Sequence, residues 1–271
     1  MPKPIIFIED QLCFLVSSSV PSNNSRGTVS RSSKSRSKGA SASSVFYLTV
    51  DNKFEFQPFF EGYDFGPLHL AHVYYFCRLV DYKLKELAKL QQQLCIVTSL
   101  NGKKRANAAW LMCAYMLLRQ GKTPEEAYAP VKDMYPPFIP FRDAAQSMST
   151  FDLTILDCLR GLKKAVQFGF FDYDKFNGEE YLFYEQVENG DLNWIVPGKC
   201  IAFSGPHPRR LGSDGYMHFT PEDYFDMFKR WGVSGIVRFN KKIYDARRFT
   251  QNGFNHHDFF FVDGGLPTEV I

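Results

Sequence analysis

The chain alternates between short apolar runs and longer amphipathic segments. The apolar runs predict strands, at residues 12–16, 45–50, 94–97, 201–203, 235–239 and 258–262. The amphipathic segments predict helices, one opening at residues 66–67 and others at 106–119, 150–169, 221–230 and 241–251. Strands that alternate with helices are typical of βαβ units. The pattern therefore predicts an α/β fold with mainly parallel sheets.

Capping residues mark the ends of several of these helices. Thr123 precedes Pro124 and predicts the N-cap and the first position of a further helix. Thr220 likewise is the predicted N-cap of the helix at 221–230. Gly121 and Gly169 follow helical segments and predict where they end, because glycine readily adopts the left-handed backbone of a helix C-terminus.

Residues 17–44 interrupt the pattern, because serine dominates there and no apolar period is present. Five basic residues are interspersed among the serines, namely Arg26, Arg31, Lys34, Arg36 and Lys38. Such a composition cannot bury enough apolar surface to offset the entropy of ordering, so we expect a disordered insertion at the tip of a long hairpin. Alternating arginine and serine are also compatible with RNA binding or with phosphorylation. A solvated loop is the simpler interpretation.

A second change of composition occurs at residues 171–193, which are acidic and aromatic. We interpret this segment as a linker helix followed by a turn. Strands and helices alternate on both sides of it, so we expect two α/β domains, at residues 1–170 and 194–271.

Composition narrows the classes of protein that this chain can represent. Of its 271 residues 45% are hydrophobic, which is enough for a sizeable core. No apolar run approaches the roughly 20 residues of a membrane span, and the net charge of +3 is too small to indicate a nucleic-acid partner. The six cysteines are scattered, mostly in apolar runs, and form no C-x-x-C pair that would indicate zinc. We therefore expect buried thiols, no metal site, and a cytoplasmic or nuclear protein.

The segment from Leu94 to Ala106 has the order strand, short polar loop and helix start. Backbone amides and the helix dipole at such a junction can hold a phosphate. Cysteine phosphatases use a loop of this kind, in which a nucleophilic cysteine precedes an arginine by six positions. At that spacing this chain has Ser99 and Arg105. Serine cannot replace a thiolate, so these two residues belong either to a vestigial phosphate-binding loop or, more simply, to a structural turn.

Only one cysteine in the sequence has an arginine at the required distance. Cys113 and Arg119 have this spacing, but they lie inside a continuous predicted helix without glycine. The helix itself uses the backbone amides between them, so this match does not predict a phosphate-binding loop.

Asp263 follows the predicted strand at 258–262 and stands in a loop rich in glycine and proline. Ligands of open α/β sheets bind beyond the carboxyl ends of the strands. A carboxylic acid on a mobile loop there can protonate a leaving group. An ordinary Asp-Gly turn explains the same residues more simply.

Several segments of the chain resemble the Cdc-fourteen type of dual-specificity phosphatases. They are KRANAA (104–109), KTPEEAY (122–128), FRDA (141–144), ENGDLNWIVP (188–197), AFSGPH (202–207), VRFNKKIYDA (237–246), RFT (248–250) and FFVDG (260–264). They occur in the same order as in that family, and the likeness extends from about Phe46 to Gly264. Together they are far more specific than any single motif.

This resemblance implies two tandem dual-specificity-phosphatase-like domains joined by a helix. The first would carry no catalytic residues and would help to shape the substrate groove. In the second, Asp263 matches the general acid that protonates the leaving oxygen. The family's nucleophile loop, His-Cys-Lys-Ala-Gly-Leu-Gly-Arg-Thr-Gly, is expected beyond Ile271, so we expect the second domain to be incomplete and residues 259–262 to be partly exposed. The resemblance implies no cofactor.

The resemblance also implies substrates. The family acts in cell-cycle control on proteins phosphorylated on serine or threonine before proline, and on phosphotyrosine. Acidic groups near the domain junction bind a basic residue further along the substrate, and Glu185, Glu188 and Asp191 are candidates by location. A solvated linker face explains these three residues equally well. Two functions stay open: a fragment of a cysteine-dependent phosphatase that lacks its nucleophile, or a non-catalytic protein that binds phosphopeptides or another partner.

Overall fold

The computed structural model describes residues 3–21, 44–58, 64–142, 149, 151–212, 215–262 and 267. It divides into two compact units, Met1–Gly178 and Glu179–Ile271, which are called the first and the second unit below. Helices and strands alternate in both units, so the predicted α/β class is confirmed.

The sheet of the first unit has four strands in the order β1-β2-β4-β3. Their bounds are Ile5–Ile8 for β1, Leu12–Val16 for β2, Val45–Thr49 for β3 and Gln93–Thr98 for β4. Strands β2 and β3 both pair in parallel with β4, and the register aligns Phe14 and Leu48 with Ile96. All six residues of β4 are buried, as expected for a central strand of a parallel sheet.

This strand order corrects one prediction. Strands β2 and β3 run in the same direction with β4 between them. They therefore cannot form the hairpin that we expected on either side of residues 17–44, because the strands of a hairpin are antiparallel neighbours. The connection between them is a crossover. Residues 22–43 of the predicted insertion lie outside the described residues.

The first unit has four helices: α1 (Leu70–Lys89), α2 (Gly102–Arg119), α3 (Pro124–Tyr128) and α4 (Ile155–Gln167). Helices α1 and α2 pack against the sheet, and α3 and α4 pack against α2. Helix α2 is buried at every position from Arg105 to Leu117, which makes it the centre of the unit. It begins at Gly102, earlier than predicted, because the Asn101 side chain caps it by accepting the amide hydrogen of Lys104. Two short antiparallel strands, β5 (Phe141–Arg142) and β6 (Asp152–Leu153), complete the unit.

The second unit contains two pairs of strands and three helices among its described residues. Helix α5 (Gly178–Glu185) enters it, followed by β7 (Leu192–Val196), β8 (Cys200–Phe203), α6 (Pro221–Arg230), β9 (Gly235–Arg238), α7 (Arg247–Thr250) and β10 (Asn255–Asp258). Strands β9 and β10 are parallel, whereas β7 and β8 form an antiparallel hairpin. The core is largely aromatic and contains Tyr224, Phe228 and Phe249.

Two elements of the second unit differ from their predictions. The helix predicted at 241–251 is limited to Arg247–Thr250, because the Asp245 carboxylate accepts the amide hydrogen of Arg247 and starts the helix there. The strand predicted at 258–262 lies at Asn255–Asp258. The expectation that the following residues are partly exposed is confirmed for Phe259, Phe260 and Val262.

The part of the chain that the structure describes contains no helix long and apolar enough to cross a membrane. Across the same described residues, no group of three or more metal-binding side chains comes together.

Candidate functional site

The carboxyl ends of β8 and β9 meet at a cavity of about 370 Å³ in the second unit. Its walls are mainly apolar and include Ile201, Phe203, Val237 and Phe239. The sequence following these strands also lines it, as expected for a ligand site of an open α/β sheet. The lining also includes the polar side chains of Arg238, Asn240 and Lys241.

Strands β9 and β10 are joined at their ends by an ion pair between a buried arginine and a partly exposed aspartate. Arg238 Nε donates to Asp258 Oδ1 at 2.8 Å, and Nη2 donates to Oδ2 at 3.2 Å. Arg238 Nη1 also donates to the Tyr244 carbonyl at 2.7 Å, and the guanidinium lies 4.4 Å from the centre of the Tyr244 ring. Lys242 adds a second cation 3.1 Å from Asp258.

These contacts decide the chemical role of Asp258. Its hydrogen bonds with Arg238, together with the contribution of Lys242, lower the pKa of Asp258 to about 2. A carboxyl group with this pKa is ionised at neutral pH and cannot serve as a proton donor. Asp258 therefore has a structural role, in which it joins β10 to β9.

The residue predicted for that role, Asp263, lies outside the described residues, as does the following Gly264. The last described residue before it, Val262, is 71% exposed. The role of Asp263 stays a prediction.

Two of the three acidic candidates lie close together. Burial raises the pKa of Glu185, and the negative charge of Asp191 raises it further. Glu185 ends α5, while Asp191 follows a left-handed turn at Gly190 and has a positive φ of 48° itself. Glu188 lies between them in a short 3₁₀ helix and is exposed. Glu185 and Asp191 therefore lie close enough for their negative charges to interact.

The loop after β4 in the first unit already holds a carboxylate of its own chain. Asp51, just beyond β3, accepts a hydrogen bond from the Ser99 amide at 2.9 Å and another from the Thr98 hydroxyl at 2.6 Å. The amide that would begin a phosphate cradle at Ser99 is therefore already occupied by an anionic side chain.

Arg105 is directed to a different part of the first unit. It lies in the first turn of α2, is buried, and its Nη2 donates to the carbonyls of Pro136 and Pro137, each at 2.6 Å. Its guanidinium is 5.1 Å from the centre of the Phe138 ring. Arg105 therefore anchors the 136–138 segment. The structure does not bring Ser99 and Arg105 together around an anion.

Burial disfavours the reactive thiolate form of several cysteines. Burial raises the pKa values of Cys77 and Cys113, and it raises the pKa of Cys158 to about 11. Cys113 and Arg119 lie in one helix, as the sequence predicted. Of the six cysteines only Cys200 is exposed.

Sequence reasoning missed two structural carboxylates, Asp51 and Asp258. A signal existed for Asp51, because it directly follows a strand whose carboxyl end meets the loop at Ser99. Asp258 pairs with Arg238, which lies 20 positions earlier on the neighbouring strand. No local sequence pattern indicates this contact.

Comparison with known proteins identifies the class. Residues 6–165 match the family model of the N-terminal half of dual specificity protein phosphatases. The chain is 48% identical over 237 residues to dual specificity protein phosphatase CDC14A of Mus musculus and 47% identical over 235 residues to CDC14C of Homo sapiens. These alignments cover 87% of this chain, and 39% and 52% of the two relatives. CDC14B of Mus musculus is 42% identical over 264 residues, which cover 97% of this chain and 50% of that relative.

The family model covers more than half of the chain, and the relatives align with most of it. The chain therefore belongs to the family of CDC14-type dual-specificity phosphatases, and the resemblance seen in the sequence segments is confirmed. It spans between about two fifths and about half of the length of these curated relatives.

Proposed function

We propose that this chain is the N-terminal, substrate-positioning part of a cysteine-dependent dual-specificity protein phosphatase. The observation that carries this proposal is the family match through residues 6–165, continued by relatives named as dual specificity protein phosphatases. In this proposal the first unit is a non-catalytic phosphatase-like domain. The second unit is the beginning of the catalytic domain, and helix α5 is the link.

The catalytic thiolate and the phosphate-binding arginine come, in this proposal, from residues outside the present 271. The only matching spacing within them, from Cys113 to Arg119, is buried in α2. The thiolate attacks phosphorus, and the bond from phosphorus to the seryl, threonyl or tyrosyl oxygen breaks. Asp263 gives its proton to that leaving oxygen. Water then hydrolyses the phosphocysteine, with Asp263 accepting a proton.

The proposed substrates are proteins phosphorylated on serine or threonine before proline, with a basic residue further on, and phosphotyrosine proteins. Glu185 and Asp191 are the candidate residues for that basic group, because their carboxyl groups interact with each other near the start of the second unit. Glu188 is exposed beside them and adds a third negative charge. A role in cell-cycle control and a cytoplasmic or nuclear location belong to the same proposal and rest on the family resemblance.

The test compares this chain with a longer product of the same gene that continues past Ile271. Hydrolysis of a phosphoserine-proline peptide is expected only from the longer protein. Asp263→Asn in it should lower that rate about 10²–10⁴-fold. The effect on para-nitrophenyl phosphate should be much smaller, because its leaving group needs little protonation. Asp226→Asn, an exposed carboxylate on α6, is the matched control.

Two results would contradict the proposal. One is thiol-dependent hydrolysis by the 271-residue chain itself. The other is a longer product that contains no cysteine followed six positions later by arginine.

The alternative is a non-catalytic protein that binds phosphopeptides or another partner. The buried thiols favour it, since Cys77, Cys113 and Cys158 are all poor nucleophiles. Its binding surface would have to differ from the loop at Ser99, where Asp51 already occupies the amide.

A further inference from the structure

The first unit contains a polar cavity of about 350 Å³ on one face of α1. Tyr74, Arg78, Asp81 and Lys85 line it, and their spacing of three or four positions places them in one row along the helix. The end of α2 and the segment at residues 173–174 supply the other walls. A volume of this size is within the range of about 300–1,000 Å³ that is usual for small-ligand sites.

Arg119, the last residue of α2, is held in one orientation at the wall of this cavity. Its Nε donates to Asp81 Oδ2 at 2.8 Å, and its guanidinium lies 4.7 Å from the centre of the Tyr173 ring. Asp81 is fixed in turn, because it accepts the Tyr115 hydroxyl hydrogen at 3.0 Å. The Nη groups of Arg119 have no hydrogen-bond acceptor among the described residues. These donors are therefore positioned in advance and lose little entropy when a ligand binds.

Arg78 presents a second guanidinium to the same cavity. Its Nη1 donates to the Tyr74 hydroxyl at 3.1 Å, and the guanidinium lies 5.5 Å from the centre of the Tyr74 ring. The Tyr74 ring is itself 5.2 Å from the Tyr173 ring. The aromatic rings that support the two arginines are thus in contact. Arg78 is exposed and forms no ion pair within the part of the chain that the structure describes.

The charges around the cavity favour an anion. The lining includes three cations and two carboxylates, and one of these carboxylates, Asp81, already pairs with Arg119. Lys85 is exposed and, as far as the described residues extend, has no ion-pair partner. Arg78 and Lys85 therefore face one remaining carboxylate, Asp174.

We propose that this cavity binds a phosphate group, either as the free anion or on a phosphorylated side chain. Arginine suits this ligand, because the N–H donors of a guanidinium match two phosphate oxygens at once. A phosphorylated side chain carries a charge of about −1.5 to −2 and three acceptor oxygens, more than a carboxylate offers. It can therefore engage Arg78, Lys85 and the Nη groups of Arg119 together.

This site is separate from the loop at Ser99. That loop adjoins the start of α2 at Gly102, whereas Arg119 ends the helix. The 18 residues of α2 span about 27 Å at the usual rise per residue. The inference goes beyond the proposed function, because it assigns to the first unit a binding site that takes no part in hydrolysis.

The experiment titrates the full 271-residue protein with a fluorescent phosphoserine peptide, and then with inorganic phosphate and with acetate as competitors. The peptide contains no basic residue, so the acidic candidates Glu185 and Asp191 do not contribute. Saturable binding is expected, with amide chemical-shift changes at residues 74–85 and 173–174. Inorganic phosphate should displace the peptide, and acetate should not.

Arg78→Gln and Lys85→Gln should each weaken binding roughly tenfold, because hydrogen bonds to charged groups are the strong ones. Both side chains are exposed and outside the ion pairs of the described residues, so the fold should tolerate these changes. Asp174→Asn removes a like charge and should tighten binding about two- to threefold. The matched control is Lys89→Gln, an exposed cation of α1 that does not line the cavity, and it should leave binding unchanged.

The relative affinities of the two probes identify the source of the phosphate. Tighter binding of the peptide assigns the site to a phosphorylated side chain, and equal binding assigns it to the free anion. Three results would overturn the proposal: no saturable binding of either probe at millimolar concentration, displacement by acetate as effective as by phosphate, or equal affinities of the Arg78 and Lys89 variants. None of them bears on hydrolysis by the longer gene product, so failure of this site leaves the proposed function intact.

Discussion

The guanidinium of Arg238 and the carboxylate of Asp258 form a two-point ion pair across the neighbouring strands β9 and β10. Arg238 is almost fully buried, and Asp258 is the carboxylate that balances its positive charge. Removing one partner of a buried pair leaves an uncompensated charge and costs about 3–5 kcal/mol. We predict that Asp258→Asn destabilises the second unit by less than this, about 1–3 kcal/mol, because only the arginine of the pair is buried.

Urea unfolding followed by hydrogen exchange in β9 and β10 measures this effect. Asp226→Asn should leave the same amides unchanged. A loss of stability below about 0.5 kcal/mol, the usual range for surface substitutions, would show that Arg238 finds another partner.

The same ion pair predicts an acid-sensitive second unit. The pKa of Asp258 is lowered to about 2 in the folded state, below the ordinary aspartate value of 3.8. The unfolded state then binds the proton more readily, so the contribution of this pair is complete above about pH 4 and declines toward pH 2. Thermal unfolding between these pH values should show the decline, and Asp258→Asn should flatten it. An unchanged slope in the variant would contradict this assignment.

The stability of the first unit should depend on pH in a different range, because of a histidine at the start of α1. His69 is the N-cap, and its Nδ1 accepts the amide hydrogen of His72 at 3.3 Å. Burial, with the nearby charge of His72, lowers the pKa of His69 to about 4. Since the unfolded histidine titrates near 6.5, stability is complete above that pH and falls between about 6.5 and 4.

We predict that His69→Asn flattens this dependence, because asparagine keeps the capping acceptor but does not titrate. Melting temperatures at pH 7, 5.5 and 4.5 test it. His69→Ala, which removes both cap and titration, should instead lower stability at every pH. A variant with the same pH dependence as the unmodified protein would place the titration elsewhere, for example at His72, whose pKa is also lowered by burial.

Thiol labelling tests whether any cysteine of this chain is reactive. Cys200 is exposed, Cys158 is half-buried and the other four are buried. We predict one rapid iodoacetamide adduct, at Cys200, which peptide mass spectrometry would locate and Cys200→Ser would abolish. Rapid modification of Cys113 would contradict the raised pKa that its burial causes.

The loop at Ser99 should not bind free phosphate. Asp51 already accepts the Ser99 amide hydrogen, and its negative charge repels an added anion. Phosphate titration monitored by the Ser99 amide resonance should give no saturable shift at millimolar concentrations. Asp51→Asn keeps an acceptor oxygen and removes the charge, so it is the variant in which weak binding could appear. Saturable binding by the unmodified protein would restore the vestigial phosphate loop.

Local signals in the sequence predicted the helix boundaries best. Thr123 with Pro124 and Thr220 with Pro221 begin α3 and α6, because a cap involves only residues a few positions apart. Helix α7 was predicted too long, since the periodicity of 241–251 does not reveal that Asp245 turns the chain.

Contacts between distant residues account for the remaining errors. The order β2-β4-β3 depends on strand pairing across the whole first unit, so flanking strands alone wrongly indicated a hairpin. Strand β10 reads Asn-His-His-Asp, which has no apolar alternation, while the aromatic run after it looked more like a strand. Arg105 appeared to belong to a loop, and only its contacts with Pro136 and Pro137, over 30 positions away, show otherwise.

The crossover between β2 and β3 determines where this protein can tolerate changes in its sequence. The crossover begins after Val16, which pairs with Thr98 of β4, and ends before Val45, which pairs with Gln93. The strand rise and the spacing between strands place these two ends roughly 20 Å from each other. About six extended residues cover that distance in a straight line, and 28 residues stand between Val16 and Val45. Because halving a loop changes its closure free energy by only about 0.6 kcal/mol, this serine-rich tract is free to gain, lose or exchange sequence while the four-stranded sheet remains the same.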